Sequence, residues 1–167
     1  MNGQYLSALP LEAILPEVKP FFVKAGLVDE AWLEANADYF AKLIDTVRVR
    51  VKTLQEVVDA STYFFQDIES YDEKGVAKHF KPEAIELLEK CKAALAADEV
   101  FDLATTEAIY NKISEENDLA LGKVIHPTRL ALTGRTVSPG MFDVMVLLGK
   151  DKTLARLEAA ITYIKSL

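Results

Sequence analysis

The stretch HPTRLALTGRTVSPGMFDVMVLLG, residues 126–149, contains two apolar segments separated by a short turn rich in glycine, proline and hydroxyl residues. The spacing of the apolar residues predicts two helices. Gly134 follows the first segment, where a left-handed C-terminal cap is expected. Ser138 and Pro139 predict an N-cap followed by proline at the first position of the second helix. From its pattern alone, this stretch is a helical corner that packs into a core.

The composition is that of an ordinary globular protein with a helical tendency. The chain has 167 residues, of which 50% are apolar and 27% charged, with 7 glycines and 6 prolines. One cysteine and two histidines allow neither an internal disulfide nor a metal-ligand cluster, so we expect a reducing cytoplasmic environment. No signal peptide and no apolar run of about 20 residues is present, so no membrane association is expected.

Charge is distributed unevenly along the chain. The net charge of −7 argues against a nonspecific binder of DNA or RNA, which usually carries a basic face. However, residues 119–167 carry an excess of Lys and Arg, and Arg129 and Arg135 bracket the turn of the corner. A second basic island, formed by Lys42, Arg48, Arg50 and Lys52, lies within the acidic part of the chain. This asymmetry indicates a partner that is contacted locally.

The remaining apolar periodicities predict an all-α fold of several helices. A helix is expected over residues 11–25, kinked or divided by Pro16 and Pro20 and closed by Gly26. The N-terminal signals of the later helices are Asp29 before residues 32–44, Thr53 with Glu56 three residues on, Pro82 for a helix to about residue 97, Thr105 or Thr106, and Asp151 for a helix to the end of the chain.

Residues 47–54, VRVRVKTL, alternate apolar and basic residues as a half-buried strand would, but no partner strand is visible. We therefore favour an irregular or short helical link that presents Arg48 and Arg50.

The polar residues 66–81 predict a boundary between two small helical subdomains packed in tandem, residues 1–70 and 71–167, with the boundary placed anywhere within 66–81.

Residues that carry catalytic chemistry are scarce. His79 lies in a polar segment and His126 precedes Pro127, so both are interpreted as surface or helix-entry residues, with a general base as the alternative. Cys91 lies on an apolar helical stripe and is interpreted as a small buried hydrophobe. The glycines form no phosphate-binding loop. The aromatic residues 63–65 could stack on bases but more commonly pack in a core. We expect no catalytic residue and no metal site in this chain.

Three ordered landmarks resemble the C-terminal part of bacterial glutamyl-tRNA synthetases. Residues 126–161 resemble that family's block HP-x-R-x-ALTG, a turn of SPG or TPG type, and LLGKE-x-x-x-x-RL. MNGQYL at the start is similar to the family's Trp-Met-Asn-Gly-x-Tyr-Ile junction, and VRVRVKTLQE to its two arginines followed by Thr-Leu. The His-x-Gly-His and Lys-Met-Ser-Lys-Ser signatures of class I synthetases do not occur in this chain. The resemblance implies an anticodon-binding region, either a fragment or a free-standing relative, whose full-length enzyme uses ATP and Mg while this chain binds no cofactor.

The resemblance also implies a partner and a set of contacts. The partner is the anticodon loop of glutamate tRNA, bound by a cytoplasmic monomer, with base contacts from Arg50, Arg129, Ser138, Pro139, Gly140 and Met141. Arg48, Lys52 and Arg135 are candidate phosphate contacts. Val49 stands where some relatives have proline, and Met141 stands where leucine is usual.

Single-stranded recognition suits these residues, because splayed bases expose their Watson–Crick edges. Arginine only donates hydrogen bonds, so it fits the O2 and N3 acceptors of cytosine better than guanine. Glutamate and glutamine anticodons differ at the third base, C against G. Glutamate-specific members of the family tend to carry an arginine at the position of Arg50, so the resemblance implies a protein that discriminates between the two anticodons. The alternative is a helical protein–protein interaction domain, whose acidic half would suit a basic, translation-related partner.

Overall fold

The computed structural model describes residues 6–167 and their side chains, except those of Ser7 and Arg50. Within this range the chain forms eleven α-helices, two short 3₁₀ helices and no β-strand, so the all-α prediction is confirmed. The chain divides into two compact units, Met1–Asp67 and Ile68–Leu167. The MNGQYL landmark, apart from Leu6, lies outside the described residues.

The first unit packs around aromatic side chains. Its helices are α1 (Leu11–Lys24), α2 (Glu30–Ala35), α3 (Ala37–Val47), α4 (Leu54–Asp59) and α5 (Thr62–Phe65), with 3₁₀ helices at Leu6–Ala8 and Arg48–Arg50. The ring of Phe22 lies edge-on to Phe40 at 5.1 Å and to Phe65 at 5.8 Å between centroids. Tyr63 and Phe64 are buried as well, so the aromatic run belongs to the core and is not a surface for stacking bases.

Helix α1 is not divided by its prolines. Pro16 and Pro20 lie inside one continuous helix that ends at Lys24. Both prolines are exposed, whereas Ile14, Val18 and Phe22 form the buried stripe of the same helix. Residues four apart share a helix face, so the carbonyl groups that the prolines leave without a donor face solvent and can bind water.

The helix predicted over residues 32–44 is two helices. Asp29 caps the first as expected, because its Oδ1 accepts from the backbone N–H of Trp32 at 2.7 Å. Asn36 then ends α2: its backbone N–H and its Nδ2 both donate to the carbonyl oxygen of Trp32, at 2.9 Å and 3.0 Å. An asparagine that folds back on the preceding turn competes with helix continuation.

The basic segment 47–54 is the short helical link that we favoured. Arg48–Arg50 form a 3₁₀ helix, and Val51 returns to extended backbone, where its carbonyl oxygen accepts from Leu6 N at 2.9 Å. Thr53 then caps α4, accepting from the backbone N–H of Glu56 at 3.1 Å.

The second unit surrounds one helix, α9. Its helices are α6 (Glu73–His79), α7 (Pro82–Ala96), α8 (Leu103–Glu116), α9 (Leu121–Thr133), α10 (Met141–Leu148) and α11 (Lys150–Lys165). Every other helix of the unit contacts α9. At its centre Tyr110 and Thr128 are buried, with their hydroxyl oxygens 2.9 Å apart, and Thr128 also donates to the carbonyl oxygen of Val124. The position of α9 fixes where its last turn and the following corner emerge.

The start of α8 differs from the prediction. Asp102, not Thr105 or Thr106, is the N-cap, and it accepts from the backbone N–H of Thr105 at 2.8 Å. Thr105 is the third residue of a reciprocal capping box, in which its hydroxyl accepts from Asp102 N. Asp and Ser/Thr are both good caps, so the sequence alone left the choice between neighbouring candidates open.

Candidate nucleic-acid interface

The end of α9 is built as the sequence predicts. Gly134 has a φ of 75° and is the left-handed C-cap, and its N–H donates to the carbonyl oxygen of Leu130 at 2.8 Å. An ideal Cβ on Gly134 would lie 2.8 Å from the carbonyl oxygen of Ser70 and 3.0 Å from Cγ2 of Ile68. The carbonyl oxygen of Gly134 accepts from Asp72 N at 2.9 Å. The turn therefore rests directly on the segment that precedes α6.

The beginning of α10 departs from the prediction, and the role of Ser138 changes with it. The helix begins at Met141, with Gly140 as N-cap, so Ser138 is not the cap. The Ser138 hydroxyl instead accepts from Nε of Arg129 at 3.0 Å and donates to the carbonyl oxygen of Pro139 at 2.7 Å. The serine thus ties the turn to the preceding helix.

Arg129 is the residue that connects the two halves of the corner. It lies one helical turn before Gly134 and is half-buried. Besides the bond to Ser138, its Nη1 lies 3.4 Å from Nδ1 of His126, one turn earlier on the same face of α9. Arginine only donates, so His126 accepts through Nδ1 and carries its proton on Nε2 when neutral. The bonds to Ser138 and His126 therefore help to set the direction of the Arg129 guanidinium.

The turn residues differ in what they expose. Val137 is 74% exposed, and Gly140 is exposed while Pro139 is half-buried. Met141 is only 2% exposed, so its side chain supports the turn from inside. A direct base contact through the Met141 side chain therefore finds no support in this geometry.

A carboxylate covers the first turn of α10. An ideal Cβ on Gly140 would lie 2.6 Å from Oδ2 of Asp143, so the absence of a side chain at Gly140 makes room for that carboxylate. Asp143 lies in the first turn of the helix, where a negative charge is favourable. The helix start therefore already faces an acidic group and is unsuited to a phosphate, whereas a carboxylate can accept hydrogen bonds from a base amino group.

Arg135 lies on the other side of the turn. Its backbone N–H donates to the Thr133 hydroxyl at 3.0 Å, which fixes the chain just after Gly134. Its side chain is half-buried, and its predicted role as a phosphate contact stays a prediction.

The basic island of the first unit contains one structural arginine. The Arg48 side chain is 14% exposed and forms an ion pair with Asp45 at 2.8 Å. Its Nη1 also donates to the carbonyl oxygens of Leu6 and Leu9. Arg48 therefore holds its own unit together, and its predicted phosphate contact finds no support here. Lys52 is exposed, as such a contact requires, and the side chain of Arg50 lies outside the described residues.

The two histidines meet, which the sequence did not predict. The rings of His79 and His126 are stacked, 27° from parallel with centroids 5.1 Å apart. Burial lowers the pKa of His79, and His126, Lys78, Lys123 and Lys81 lower it further. Burial, Arg129 and Lys78 likewise lower the pKa of His126. Both imidazoles therefore favour the neutral form at neutral pH. The contact between His126 and Arg129 could have been predicted, because residues three apart lie on the same face of a helix.

Cys91 is placed in the core, as its position on an apolar helical stripe indicates. Cys91 is fully buried, and burial raises the pKa of its thiol to about 11, so it is a packed hydrophobe. No group of three or more His, Cys, Asp or Glu among residues 6–167 could hold a metal ion. None of the described helices is long and apolar enough to cross a membrane.

Comparison with known proteins relates nearly the whole chain to one family. The model of the anticodon binding domain matches residues 13–161. Glutamate–tRNA ligase 1 of Caldanaerobacter subterraneus subsp. tengcongensis is 42% identical over 166 residues, which are 99% of this chain and 34% of that protein. The glutamate–tRNA ligase of Myxococcus xanthus is 32% identical over 164 residues, covering 97% and 33%.

Comparison with solved structures also finds glutamate tRNA ligases. The crystal structure of a glutamate tRNA ligase from Elizabethkingia meningosepticum, in complex with its amino acid, superposes with a TM-score of 0.85 at 29% identity, covering 98% of this chain and 31% of that one. The chain thus spans about a third of the length of the relatives it matches, and the matched part is their C-terminal region.

Proposed function

The chain belongs to the anticodon binding domain family, and on that premise we propose that it binds the anticodon loop of glutamate tRNA as part of a glutamate–tRNA ligase. In this proposal the ATP and Mg of the ligase are bound outside this chain. A cytoplasmic location and a monomeric state belong to the same proposal, as does a division of labour between two tandem subdomains, residues 1–70 and 71–167.

One observation carries the proposal: the hydrogen bond between Arg129 and Ser138. It joins the last turns of α9 to the turn before α10, so a guanidinium, an exposed valine and an exposed glycine are presented by one rigid corner. A corner held by the Gly134 cap and by the bond between Arg129 and Ser138 is preorganised, which limits the entropy lost when an RNA loop binds. Base contacts are proposed for Arg129, Ser138, Pro139 and Gly140.

The chemistry of the corner suits the Watson–Crick edge of an unpaired base, and cytosine is one such base. Arg129 donates hydrogen bonds, whereas the Asp143 carboxylate beside Gly140 accepts them. The edge of cytosine has two acceptors, O2 and N3, and one amino donor. The combination of a donor and an acceptor group is therefore complementary to cytosine. Arg50 of the first unit is proposed as the residue that distinguishes C from G at the third anticodon base.

The first test is a calorimetric titration with glutamate tRNA and with a tRNA that carries a different anticodon. The parent chain should prefer glutamate tRNA, and Arg129→Ala should reduce that preference at a cost of about 1–3 kcal/mol for the cognate tRNA alone. Ser138→Ala should have a smaller effect in the same direction, because it loosens Arg129 without removing it. Lys112→Ala, an exposed lysine of α8, is the matched control and should change neither affinity.

Equal affinity of the parent chain for both tRNAs, unchanged by Arg129→Ala, would contradict base recognition. It would favour the interpretation as a protein–protein interaction domain.

The second test concerns Arg50. The parent chain and Arg50→Gln are each titrated with two anticodon stem-loops, one with C and one with G as the third anticodon base, and the affinities are compared. The parent chain should bind the C form more tightly, and the glutamine, whose amide both donates and accepts, should narrow the difference. A parent chain without preference for C would show that Arg50 has another role.

A further inference from the structure

A second surface in the same unit has the properties of a phosphate-binding site. A cleft of about 650 Å³ lies between the end of α6, the start of α7 and the first half of α9. We call it the basic cleft and define it by five residues that line it: Lys78, His79, Lys81, Lys123 and His126.

The positive charge in the basic cleft exceeds the negative charge of the acidic residues that line it. Lys78, Lys81 and Lys123 are exposed, and among the described residues none of the three forms an ion pair with a carboxylate. Two acidic residues also line the cleft, but Glu86 is paired with Lys90 at 3.4 Å. Glu83 is then the remaining acidic residue of the cleft wall, beside Lys78, Lys81 and Lys123. In a chain with a net charge of −7, such a local excess of cations requires an explanation beyond solubility.

The stacked imidazoles connect the basic cleft to the corner. His126 lines the cleft on one side and accepts from Nη1 of Arg129 on the other. Its Nε2, the protonated nitrogen when Nδ1 accepts, would lie 3.4 Å from an ideal Cβ on Gly122, another residue of the cleft wall. The absence of a side chain at Gly122 leaves that edge of the ring accessible. A ligand in the cleft and a base at Arg129 would therefore contact opposite sides of one imidazole.

We propose that the basic cleft binds backbone phosphates of the RNA strand whose bases reach Arg129 and Ser138, an inference that rests on the proposed function. Lysine ammonium groups and an imidazole N–H are suitable donors for phosphate oxygens, and such contacts position an RNA without reading its sequence. In the free protein, burial and, after it, neighbouring cations hold the pKa of both histidines below the ordinary value. A phosphate beside them would offset this field, so RNA binding should raise both pKa values and should strengthen as the pH falls towards 6.

The test uses the full chain and the double variant Lys78→Ala/Lys123→Ala, with Lys112→Ala as control. Binding of glutamate tRNA is measured between 50 and 200 mM salt. The slope of log K against log salt should become shallower by about 1 for each lysine that contacts a phosphate. The loss of affinity should be the same for cognate and non-cognate anticodons, unlike the loss from Arg129→Ala. All the substituted lysines are exposed, so circular dichroism should show unchanged folding.

The outcomes separate the two proposals. A parent chain that prefers glutamate tRNA, together with a double variant of unchanged affinity and slope, overturns the phosphate site and leaves anticodon recognition standing. A parent chain without anticodon preference contradicts the proposed function first.

A second measurement identifies the ligand. The chain has only two histidines, so their imidazole proton signals report on the basic cleft without interference. An anticodon stem-loop RNA should raise both histidine pKa values, whereas inorganic phosphate at the same total phosphate concentration should not. An equal effect of inorganic phosphate would show a site for a free anion and would overturn the assignment to RNA.

Discussion

Arg156 of α11 donates from Nη1 to the carbonyl oxygen of Leu132 in the last turn of α9, at 2.6 Å. The last four carbonyl groups of a helix have no partner within it. Arg156 is only 8% exposed, so the bond lies inside the protein, directly behind the turn that Gly134 begins. The corner is thus fixed from the inside by a charged residue of another helix.

Replacing Arg156 should therefore destabilise the second unit. Arg156→Met keeps much of the apolar stem but leaves the carbonyl oxygen of Leu132 buried without this donor. We expect the free energy of unfolding to fall by about 1.5–3 kcal/mol, as for other buried hydrogen bonds to charged groups. Urea denaturation followed by circular dichroism measures it. Lys165→Met on the same helix removes an exposed ion pair with Glu89 and should cost less than about 1 kcal/mol. Equal effects of the two variants would contradict the role given to Arg156.

Two glycines with the same backbone conformation should respond differently to alanine. Gly26 and Gly134 have φ values of 77° and 75°, so either substitution costs about 1–2 kcal/mol in backbone strain. At Gly26 nothing lies within 4 Å of an added Cβ, whereas at Gly134 the carbonyl oxygen of Ser70 lies 2.8 Å away. We expect Gly134→Ala to lose roughly 1–3 kcal/mol more than Gly26→Ala, because overpacking adds to the strain.

Urea denaturation followed by two signals can distinguish the unfolding of the two units. The single tryptophan, Trp32, belongs to the first unit, so its fluorescence follows the effect of Gly26→Ala while circular dichroism follows both. Similar losses in the two variants would show that the segment carrying Ser70 moves aside easily.

Val137 should contribute to RNA binding through its exposure. An apolar side chain that is 74% exposed at the tip of the corner gains free energy when a base covers it. Val137→Ala should weaken binding of glutamate tRNA by about 1 kcal/mol, or about fivefold, with unchanged stability. Val100, which is 66% exposed on the loop between α7 and α8, is the matched control. If Val100→Ala and Val137→Ala weaken binding equally, the tip is not where the RNA lies.

The sequence was sufficient for features that depend on a few neighbouring residues. The Gly134 cap and the caps formed by Asp29 and Thr53 are local hydrogen bonds within one turn, and all three were predicted correctly. The prediction of Ser138 as the N-cap of α10 was wrong because of a contact between residues that are distant in the sequence. A Ser-Pro pair favours an N-cap locally, but the approach of Arg129 from nine residues away gives the hydroxyl another partner.

Long-range pairings explain most of what was missed. Arg156 is flanked by Ala155 and Leu157 in the sequence, and nothing local indicates that it reaches a carbonyl group of α9. The stacking of His79 on His126 likewise depends on α6 packing against α9, so each histidine taken alone suggested only a surface residue. The residues proposed for the basic cleft therefore become visible only when the helices are assembled.

The stability of the free protein should decrease below pH 6.5 because of its two histidines. The pKa of His79 and of His126 is lower in the folded protein than the ordinary value of 6.5, chiefly through burial and then through nearby cations. A base with a depressed pKa in the folded state contributes stability that is complete above its unfolded pKa and is lost as the pH falls through its folded pKa. Urea midpoints should therefore decline between pH 7.5 and 5, before most carboxylates titrate. His79→Gln/His126→Gln removes every histidine of the chain and should flatten this part of the profile, while the loss below pH 5 should persist in both proteins. If the urea midpoint of the parent chain is already constant from pH 7.5 to 5, protonation of the stacked pair does not lower the free energy of unfolding.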